Sequence, residues 1–218
     1  MSQNTSSAVM QQRHEDARAL DDYPTPPWAT RALMEYVIFK LGDEQARLKV
    51  SRHVALDPAC GRGHIVRTLN EYFGAAEGSD VHDYGWGVAS EITNFLDPAY
   101  QPRPHWIITN PPFRLGEAFT RKALELSEIG CAMLVRTSFL EGVGRYRDIF
   151  SQRPPTVVAQ FTERVPMHRS KLTKKGSTAT SYAWLVWVHG APRLPLEWIP
   201  PCRKKLEMDA DYFWTGEE

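Results

Sequence analysis

Short apolar runs alternate with amphipathic segments along most of the chain. The sequence HVALDPACGRGHIVRTLNEYFG, which begins at His53, predicts a buried strand, a glycine turn and a helix. AAEGSDVH from Ala75 and EITNFLD from Glu91 predict two further strands, and HWIITNPPF from His105 predicts a fourth. The helical segment RLGEAFTRKALELSEIG then leads into a fifth strand, CAMLVRTSFL, which starts at Cys131. Strands that alternate with helices indicate an α/β sandwich with a mostly parallel sheet.

Two more predicted strands follow without a helix between them. TVVAQFT from Thr156 and TSYAWLVWVHG from Thr180 are joined by the basic segment ERVPMHRSKLTKKGSTA. Because strands without a crossover helix can pair as an antiparallel hairpin, we expect such a hairpin at the edge of a seven-stranded sheet. Ahead of the sheet, DDYPTPPWATRALMEYVIFKLGDE predicts a helix that Thr25 caps and that Pro26 and Pro27 begin.

The composition favours one cytoplasmic domain. The chain has 218 residues, 42% of them hydrophobic, and no apolar run approaches the roughly 18 residues of a membrane span. Three cysteines, odd in number and far apart, favour a reduced compartment and predict no metal site. Residues 1–20 are polar and aperiodic and lack an export signal, so we expect a disordered tail there and a single domain over 21–218.

Charge is unevenly distributed, although the net charge is zero. Residues 1–100 hold 9 lysines and arginines against 14 acidic residues, a difference of −5. Residues 101–218 hold 17 against 12, a difference of +5. This asymmetry predicts that an anionic partner contacts the second half of the chain.

The glycine turn carries the first candidate site. Gly61 and Gly63 allow close approach of the backbone, and Asp57 ends the preceding strand, where a carboxylate suits a cationic amino group better than a phosphate. Asp80 ends the next strand 23 residues later, a spacing that suits a carboxylate binding ribose hydroxyls, with Asp83 as the alternative. Val66 stands where a dinucleotide fingerprint needs glycine. The pattern therefore favours a nucleoside that carries an amino acid.

The fourth strand leaves the sheet through a rigid corner, NPPF. Asn110 offers a carboxamide oxygen, and Pro111 offers a carbonyl without an N–H of its own. Pro112 stiffens Pro111 in an extended conformation, and Phe113 adds an aromatic ring. Two fixed acceptors beside a ring predict a binding site for an aromatic amine.

The pair DPACGRG and NPPF resembles motifs I and IV of the S-adenosylmethionine-dependent N6-adenine DNA methyltransferases. YPTPPWAT resembles their motif X, GSD their motif II and NFL their motif III, and GSTATSYAWLVW is similar to the motif VIII region of small phage and prophage members. The resemblance covers residues 23–187 and implies a class I, Rossmann-like methyltransferase fold. NPP followed by an aromatic residue is less specific alone, because glutamine and RNA methyltransferases have it too.

The resemblance implies S-adenosylmethionine as cofactor and a role for each matching residue. Asn110, Pro111, Pro112 and Phe113 would be catalytic. Asn94 departs from the family, which commonly has an aspartate there to accept from the cofactor's adenine amine. The implied cofactor-binding residues are Thr25, Pro26, Asp57, Pro58, Ala59, Cys60, Gly61, Gly63, Asp80, Asn94 and Phe95.

The implied reaction is methyl transfer to the N6 amine of an adenine flipped out of duplex DNA, without a metal. Methylation of RNA adenine or a protein glutamine amide is an alternative, and so is a non-catalytic nucleic-acid-binding protein with the same fold. Only about 30 residues follow the last predicted strand, so we expect no separate target-recognition domain. The candidate DNA contacts are Arg164, Arg169, Lys171, Lys174, Lys175 and Tyr182.

Overall fold

The computed structural model describes residues 21–42, 49–85, 87–174, 176 and 178–215. The disordered tail predicted for residues 1–20, and Lys175 among the candidate DNA contacts, lie outside the described residues. No described helix is long and apolar enough to span a bilayer.

A single mixed sheet organises the described residues. Its strands, in chain order, are β1 (Val54–Asp57), β2 (Ala75–Asp80), β3 (Ala89–Ile92), β4 (Trp106–Thr109), β5 (Gly130–Arg136), β6 (Val157–Phe161), β7 (Tyr182–Val188) and β8 (Glu197–Ile199). They lie in the order β3-β2-β1-β4-β5-β7-β6-β8. Only the two pairings that β7 makes are antiparallel; the other described pairs are parallel.

The predicted fold class is confirmed, with two additions. β6 and β7 pair antiparallel as expected, but β7 inserts between β5 and β6 and pairs with both. An eighth strand, β8, pairs with β6 and forms the outer edge on that side. The sequence pattern misses β8 because only one of its three residues, Ile199, is buried.

Helices cover both faces of the sheet. They are α1 (Pro27–Leu33), α2 (Phe39–Leu41), α3 (His64–Leu69), α4 (Gly116–Leu126), α5 (Val143–Arg145) and α6 (Arg203–Leu206). Met34–Ile38 joins α1 to α2 as a π-helical turn, and Tyr146–Phe150 continues α5 in the same way. Thr137–Leu140 and Asp209–Thr215 are 3-10 helices.

The expectation that Thr25 caps the first helix is wrong. Pro26 occupies the cap position, with φ −57° and ψ 129°, and no side chain caps the helix. The physical reason is that Pro27 forces the residue before it into an extended conformation, so the helix can begin only at Pro27. Thr25 is buried one residue earlier.

Alternation along the central strands divides the core into two layers. In β7, Tyr182, Trp184 and Val186 join one cluster with α1 and α3, while Ala183, Leu185 and Trp187 join the other with α4. Because both faces are covered, the strand is an almost continuous apolar run. Each indole donates to a backbone carbonyl, Trp184 to Ala29 at 3.0 Å and Trp187 to Arg153 at 2.8 Å, so its burial leaves no donor unpaired.

A buried guanidinium fixes the C-terminal segment to the helical layer. Arg31 donates two hydrogen bonds to Glu71, both at 2.7 Å, and two to Asp211, at 2.8 and 2.9 Å. It also donates to the Leu206 carbonyl at 2.8 Å. The bidentate geometry saturates the guanidinium and joins α1, α3 and the last 3-10 helix.

Replacing Arg31 with Met is expected to lower the free energy of unfolding by about 3–5 kcal/mol, because the buried Asp211 carboxylate then loses its partner. Denaturant unfolding measures the change. Arg147→Met is the matched control, since its ion pair with Asp148 is exposed and its loss should hardly change stability. Equal effects of the two substitutions would contradict a structural role for the buried network.

Candidate active site

The carboxyl ends of β1, β2 and β4 meet at one cavity of about 770 Å³. This is the edge of a parallel sheet at which ligands bind in α/β folds. We call this cavity the first cavity. It brings together most of the predicted cofactor residues. Those on its wall are Thr25, Asp57, Pro58, Ala59, Cys60, Gly61, Asp80 and Asn94.

The other three predicted cofactor residues lie behind the wall. Pro26 is buried at the start of α1. Gly63 adopts φ +82°, and a Cβ there would lie 2.4 Å from Val88 Cγ1, so the position needs glycine for packing. Phe95 is in the core with its ring centroid 4.9 Å from that of Phe119, and Phe119 lies on the cavity wall.

Backbone hydrogen bonds connect the glycine turn to β2. Cys60 N donates to the Ser79 carbonyl at 3.1 Å, and Gly61 N donates to Asp80 Oδ2 at 2.9 Å. Gly61 adopts φ +50°, which glycine tolerates without strain. Cys60 is a buried free thiol whose pKa burial raises, so it behaves as a packed side chain rather than a nucleophile.

Asp57 is the most deeply buried carboxylate on the cavity wall, with 1% of its surface exposed. Burial raises its pKa to about 7, and the nearby charge of Asp80 adds to the shift, while the hydrogen bond from Ala59 N at 3.2 Å opposes it. A cation brought against this carboxylate would favour the ionised form. Asp57 therefore suits a ligand with an ammonium group.

The raised pKa predicts how Asp57 affects stability with pH. The folded state holds this proton up to about pH 7, whereas the unfolded chain releases it near the ordinary value of 3.8, so the stability it contributes at low pH is lost as pH rises through 7. Asp57→Asn stays neutral and should gain on the order of a few kcal/mol relative to wild type between pH 4 and 8. Urea unfolding across that range measures the difference; a pH-independent difference would exclude the raised pKa.

Asp80 accepts hydrogen bonds on both carboxylate oxygens. Gly61 N donates to one at 2.9 Å, and His82 N donates to the other at 3.1 Å. Burial raises the pKa of Asp80, and these amides oppose the shift. Each oxygen retains a second lone pair that two neighbouring hydroxyl groups can use. The alternative, Asp83, is exposed and accepts from Gly85 N at 2.7 Å within its own turn.

The segment before α1 lies across the NPPF corner, a feature that sequence reasoning missed. Phe113 N donates to Asp21 Oδ2 at 2.9 Å, and Asn110 Nδ2 donates to the Tyr23 carbonyl at 3.2 Å. Asp22 pairs with Arg62 of the glycine turn at 3.1 Å. The acidic pair Asp21–Asp22, just ahead of Tyr23 and Pro24, was the feature of the sequence that could have indicated these contacts. The corner and the glycine turn are thus held by the same short segment.

Asn110 presents one unpaired acceptor inside the site. Because its Nδ2 donates to Tyr23, the carboxamide orientation is fixed, and Oδ1 is buried without a hydrogen-bond partner among the described residues. A buried acceptor in that state costs free energy until a donor reaches it. The side chain is therefore prepared to receive an N–H or O–H group.

The corner separates the first cavity from a second one of about 550 Å³. Asn110 and Pro112 face the first cavity, whereas Pro111 and Phe113 face the second. The second cavity is also lined by Arg136, Ser138, Phe139 and Arg145, none of which sequence reasoning singled out. A group held at the corner can therefore be approached from two sides.

The ring of Phe113 is in contact with two neighbours. Tyr23 lies tilted with its centroid 5.0 Å away, and Arg136 Cζ lies 3.7 Å from the Phe113 centroid. Arg136 ends β5 opposite Tyr182 of β7, which is buried and so does not offer an open stacking surface. The guanidinium therefore covers one face of the Phe113 ring.

The candidate basic segment is anchored to the fold over its described part. Val165, Met167 and Leu172 are buried, and Ser170 N donates to the Asp22 carbonyl at 2.7 Å. The exposed residues Arg169 and Lys171 therefore lie beside the segment that crosses the corner. Among the other candidates, Arg164 donates to the Ala179 carbonyl at 2.9 Å, and Lys174 pairs with Asp209.

Among the described residues, no group of three or more His, Cys, Asp or Glu side chains is arranged to bind a metal ion. The cavity wall has carboxylates and a carboxamide beside glycine backbone, a donor set that suits amino and hydroxyl groups.

Comparison with solved structures assigns the chain to the class I methyltransferase fold. It superimposes with a TM-score of 0.57 on a proposed class I S-adenosylmethionine-dependent methyltransferase from Listeria monocytogenes, at 11% identity over 88% of this chain and 68% of the other. A proposed RNA methyltransferase from Pyrococcus horikoshii gives a TM-score of 0.56, at 19% identity over 82% of this chain and 94% of the other.

A modification subunit of a proposed type I restriction enzyme from Vibrio vulnificus gives a TM-score of 0.54, at 16% identity over 85% of this chain. The match spans about half of that subunit, 48% of its length. No protein-family model and no curated protein matches the sequence. At these identities the likeness establishes the fold, and the site itself must indicate the chemistry.

Proposed function

We propose that this chain transfers a methyl group from S-adenosylmethionine to the N6 amine of adenine in DNA. The observation that carries the proposal is the buried, unpaired Oδ1 of Asn110, which lines the first cavity next to Pro111 on the wall of the second. An acceptor held there by its own amide can receive one hydrogen of an amino group that comes from the second cavity.

The residues of the first cavity fit S-adenosylmethionine. Asp57 would hold the ammonium group of its methionine part, and the backbone from Pro58 to Gly61 would lie along it. Asp80 would bind the ribose hydroxyls through its free lone pairs. Asn94 has its Oδ1 engaged by Leu96 N at 3.0 Å, yet an amide oxygen has a second lone pair for the cofactor's adenine amine. Phe119 would contact the cofactor's adenine from the cavity wall, and Phe95 packs against Phe119 from the core.

The cofactor supplies an activated methyl group on a sulfonium ion, so the protein's task is to prepare the nucleophile. The lone pair of an adenine amine is delocalised into the ring. Hydrogen bonds from its two N–H groups to Asn110 Oδ1 and the Pro111 carbonyl would favour a pyramidal nitrogen, whose lone pair then points to the first cavity. These bonds strengthen as the nitrogen loses conjugation, which is stabilisation of the transition state together with alignment.

The second cavity is where the target base would lie. An adenine within a duplex cannot reach the corner, so it must be flipped out at a cost of a few kcal/mol. Stacking on Phe113 would offset about 1–3 kcal/mol of that cost. Arg136 now covers this ring, and the base stacks there only after the guanidinium moves away. A displaced arginine beside DNA has phosphates to bind.

Three observations support DNA as the substrate. Residues 101–218 hold the excess of basic residues, and Arg169 and Lys171 are exposed next to the segment that crosses the corner. Arg136 and Arg145 line the second cavity. The Vibrio neighbour is described as a modification subunit of a proposed type I restriction enzyme, which favours DNA, whereas the Pyrococcus neighbour is a proposed RNA methyltransferase.

Incubation with methyl-labelled S-adenosylmethionine and a mixed-sequence DNA duplex, followed by nucleoside analysis, tests the proposal. The expected product is N6-methyl-2′-deoxyadenosine. Parallel reactions contain RNA of the same sequence and a glutamine-containing protein substrate. If label appears only in RNA or only in protein, that molecule is the substrate and the proposal of DNA is wrong. Cofactor binding by calorimetry without transfer to any of the three would indicate an accessory protein.

A further inference from the structure

A short loop beside the second cavity exposes two large apolar side chains. It comprises residues 141–146, which follow the 3-10 helix Thr137–Leu140 and include the short helix α5 and the first residue of the π-helical turn, and we call it the tip loop. Val143 is 86% exposed and Tyr146 is 65% exposed. An isolated exposed apolar residue is common on protein surfaces, but two within four positions beside a cavity form a patch.

The tip loop is held in a fixed shape by Arg145. Its Nε donates to the Phe139 carbonyl at 2.8 Å, and its Nη2 donates to the carbonyls of Ser138, at 3.5 Å, and Glu141. The guanidinium also lies 5.0 Å from the Phe139 ring centroid. These bonds tie Arg145 to the preceding 3-10 helix and to Glu141 at the start of the tip loop, so they restrain the residues between Glu141 and Arg145. Val143 is therefore exposed on a rigid support rather than on a mobile chain.

Gly142 is needed for this arrangement. It adopts φ +125°, and a Cβ there would lie 2.8 Å from Arg145 Nη2. Any other residue would meet both backbone strain and the guanidinium. The positive φ of Gly142 therefore favours glycine at the position before α5.

The same loop borders the proposed base site. Arg145 of the tip loop lines the second cavity, together with Ser138 and Phe139 of the preceding 3-10 helix and Phe113 of the corner. Val143 is two residues from Arg145 along the chain. If the second cavity takes the flipped base, the gap that the base leaves in the duplex lies next to this cavity, where an apolar side chain can enter it.

We propose that Val143, supported by Tyr146, inserts into the DNA base stack at the position that the flipped adenine vacates. This inference rests on the proposed function. An apolar side chain in the gap restores contact with the neighbouring bases, and so lowers the cost of keeping the target outside the helix. The benefit exists only where the target base starts inside a paired stack.

The test compares methylation of a duplex whose target adenine is paired with methylation of the same strand left single. Val143→Ser should slow transfer to the paired target about tenfold, which corresponds to about 1.4 kcal/mol, and should leave the single strand unaffected. Val143→Leu keeps an apolar side chain and should retain most of the wild-type rate. Leu196→Ser, an exposed leucine before β8, is the matched control and should change neither rate.

Fluorescence of 2-aminopurine at the target position gives a second readout. The flipped fraction should be lower in the complex of Val143→Ser than in the complex of the wild-type protein. Equal slowing on paired and single-stranded DNA would overturn the inference while leaving the proposed function intact. So would a Val143→Ser variant that matches wild type on the duplex. Failure of the wild-type protein to methylate either DNA would overturn the proposed function, and the inference with it.

Discussion

Replacing Asn110 with Ala is expected to slow methyl transfer by about a hundred- to a thousandfold, the usual effect of removing one preorganised polar group from a reaction centre. The affinity for S-adenosylmethionine should change little, because the carboxamide oxygen is proposed to serve the target amine. The two quantities are separable: single-turnover methylation measures the first, and calorimetric titration of the cofactor measures the second.

The carboxamide has two functions in the structure, and a second variant separates them. Its Nδ2 tethers the Tyr23 carbonyl, whereas its Oδ1 is the unpaired acceptor. Asn110→Asp keeps an acceptor and loses the tether, so it should retain more activity than Asn110→Ala if the acceptor matters. Similar losses in both variants would assign the effect to the tether. A parallel fall in cofactor affinity would assign Asn110 to the cofactor instead of the base.

The sheet was predictable because burial on both faces produces a strong sequence signal. β4, β5 and β7 are short runs of apolar residues, and such runs flanked by turns are typical of central strands. The alternation along β7 between two core clusters follows from the strand period of two. The neighbour of β7 was less predictable, since insertion between β5 and β6 depends on pairing between distant segments.

The meeting of the predicted site residues at the first cavity was also predictable, because it follows from the topology of the sheet. Asp57, Asp80 and Asn110 each end or follow a parallel strand, and parallel strands end at one edge of the sheet. The residue types then indicated which chemical groups the edge can bind. Their positions on one cavity wall are as expected, while the role of each stays a prediction.

Contacts between segments far apart in the chain were not predictable from local pattern. Asp21 meets Phe113 across 92 positions, and Arg31 meets Asp211 across 180. Arg136 covers Phe113 although neither residue stands out as the other's partner in the sequence. In each case the residue type allows many partners, and only the folded arrangement of the helices and strands selects one. This is why Arg136, Ser138, Phe139 and Arg145, which line the second cavity beside Pro111 and Phe113, were missed.

Asp80→Ala is expected to weaken binding of S-adenosylmethionine by roughly ten- to a hundredfold, since hydrogen bonds to a charged group contribute about 1.5–3 kcal/mol. The substitution also removes the acceptor for Gly61 N and His82 N, so part of the loss would come from a relaxed glycine turn. Calorimetric titration measures the affinity, and thermal unfolding without cofactor measures the contribution of the turn.

Two further variants identify the source of the lost affinity. Asp83→Ala removes a nearby exposed carboxylate that accepts a hydrogen bond from Gly85 N in its own turn. It should leave the affinity for S-adenosylmethionine unchanged. Asp80→Asn keeps one acceptor oxygen, which cannot serve Gly61 N and both ribose hydroxyls as well as a carboxylate can. It should therefore bind the cofactor with an affinity between those of wild type and Asp80→Ala. If Asp83→Ala instead gave the larger loss, the ribose would be bound at the surface turn, and the carboxylate of Asp80 would serve only to hold the glycine turn against β2.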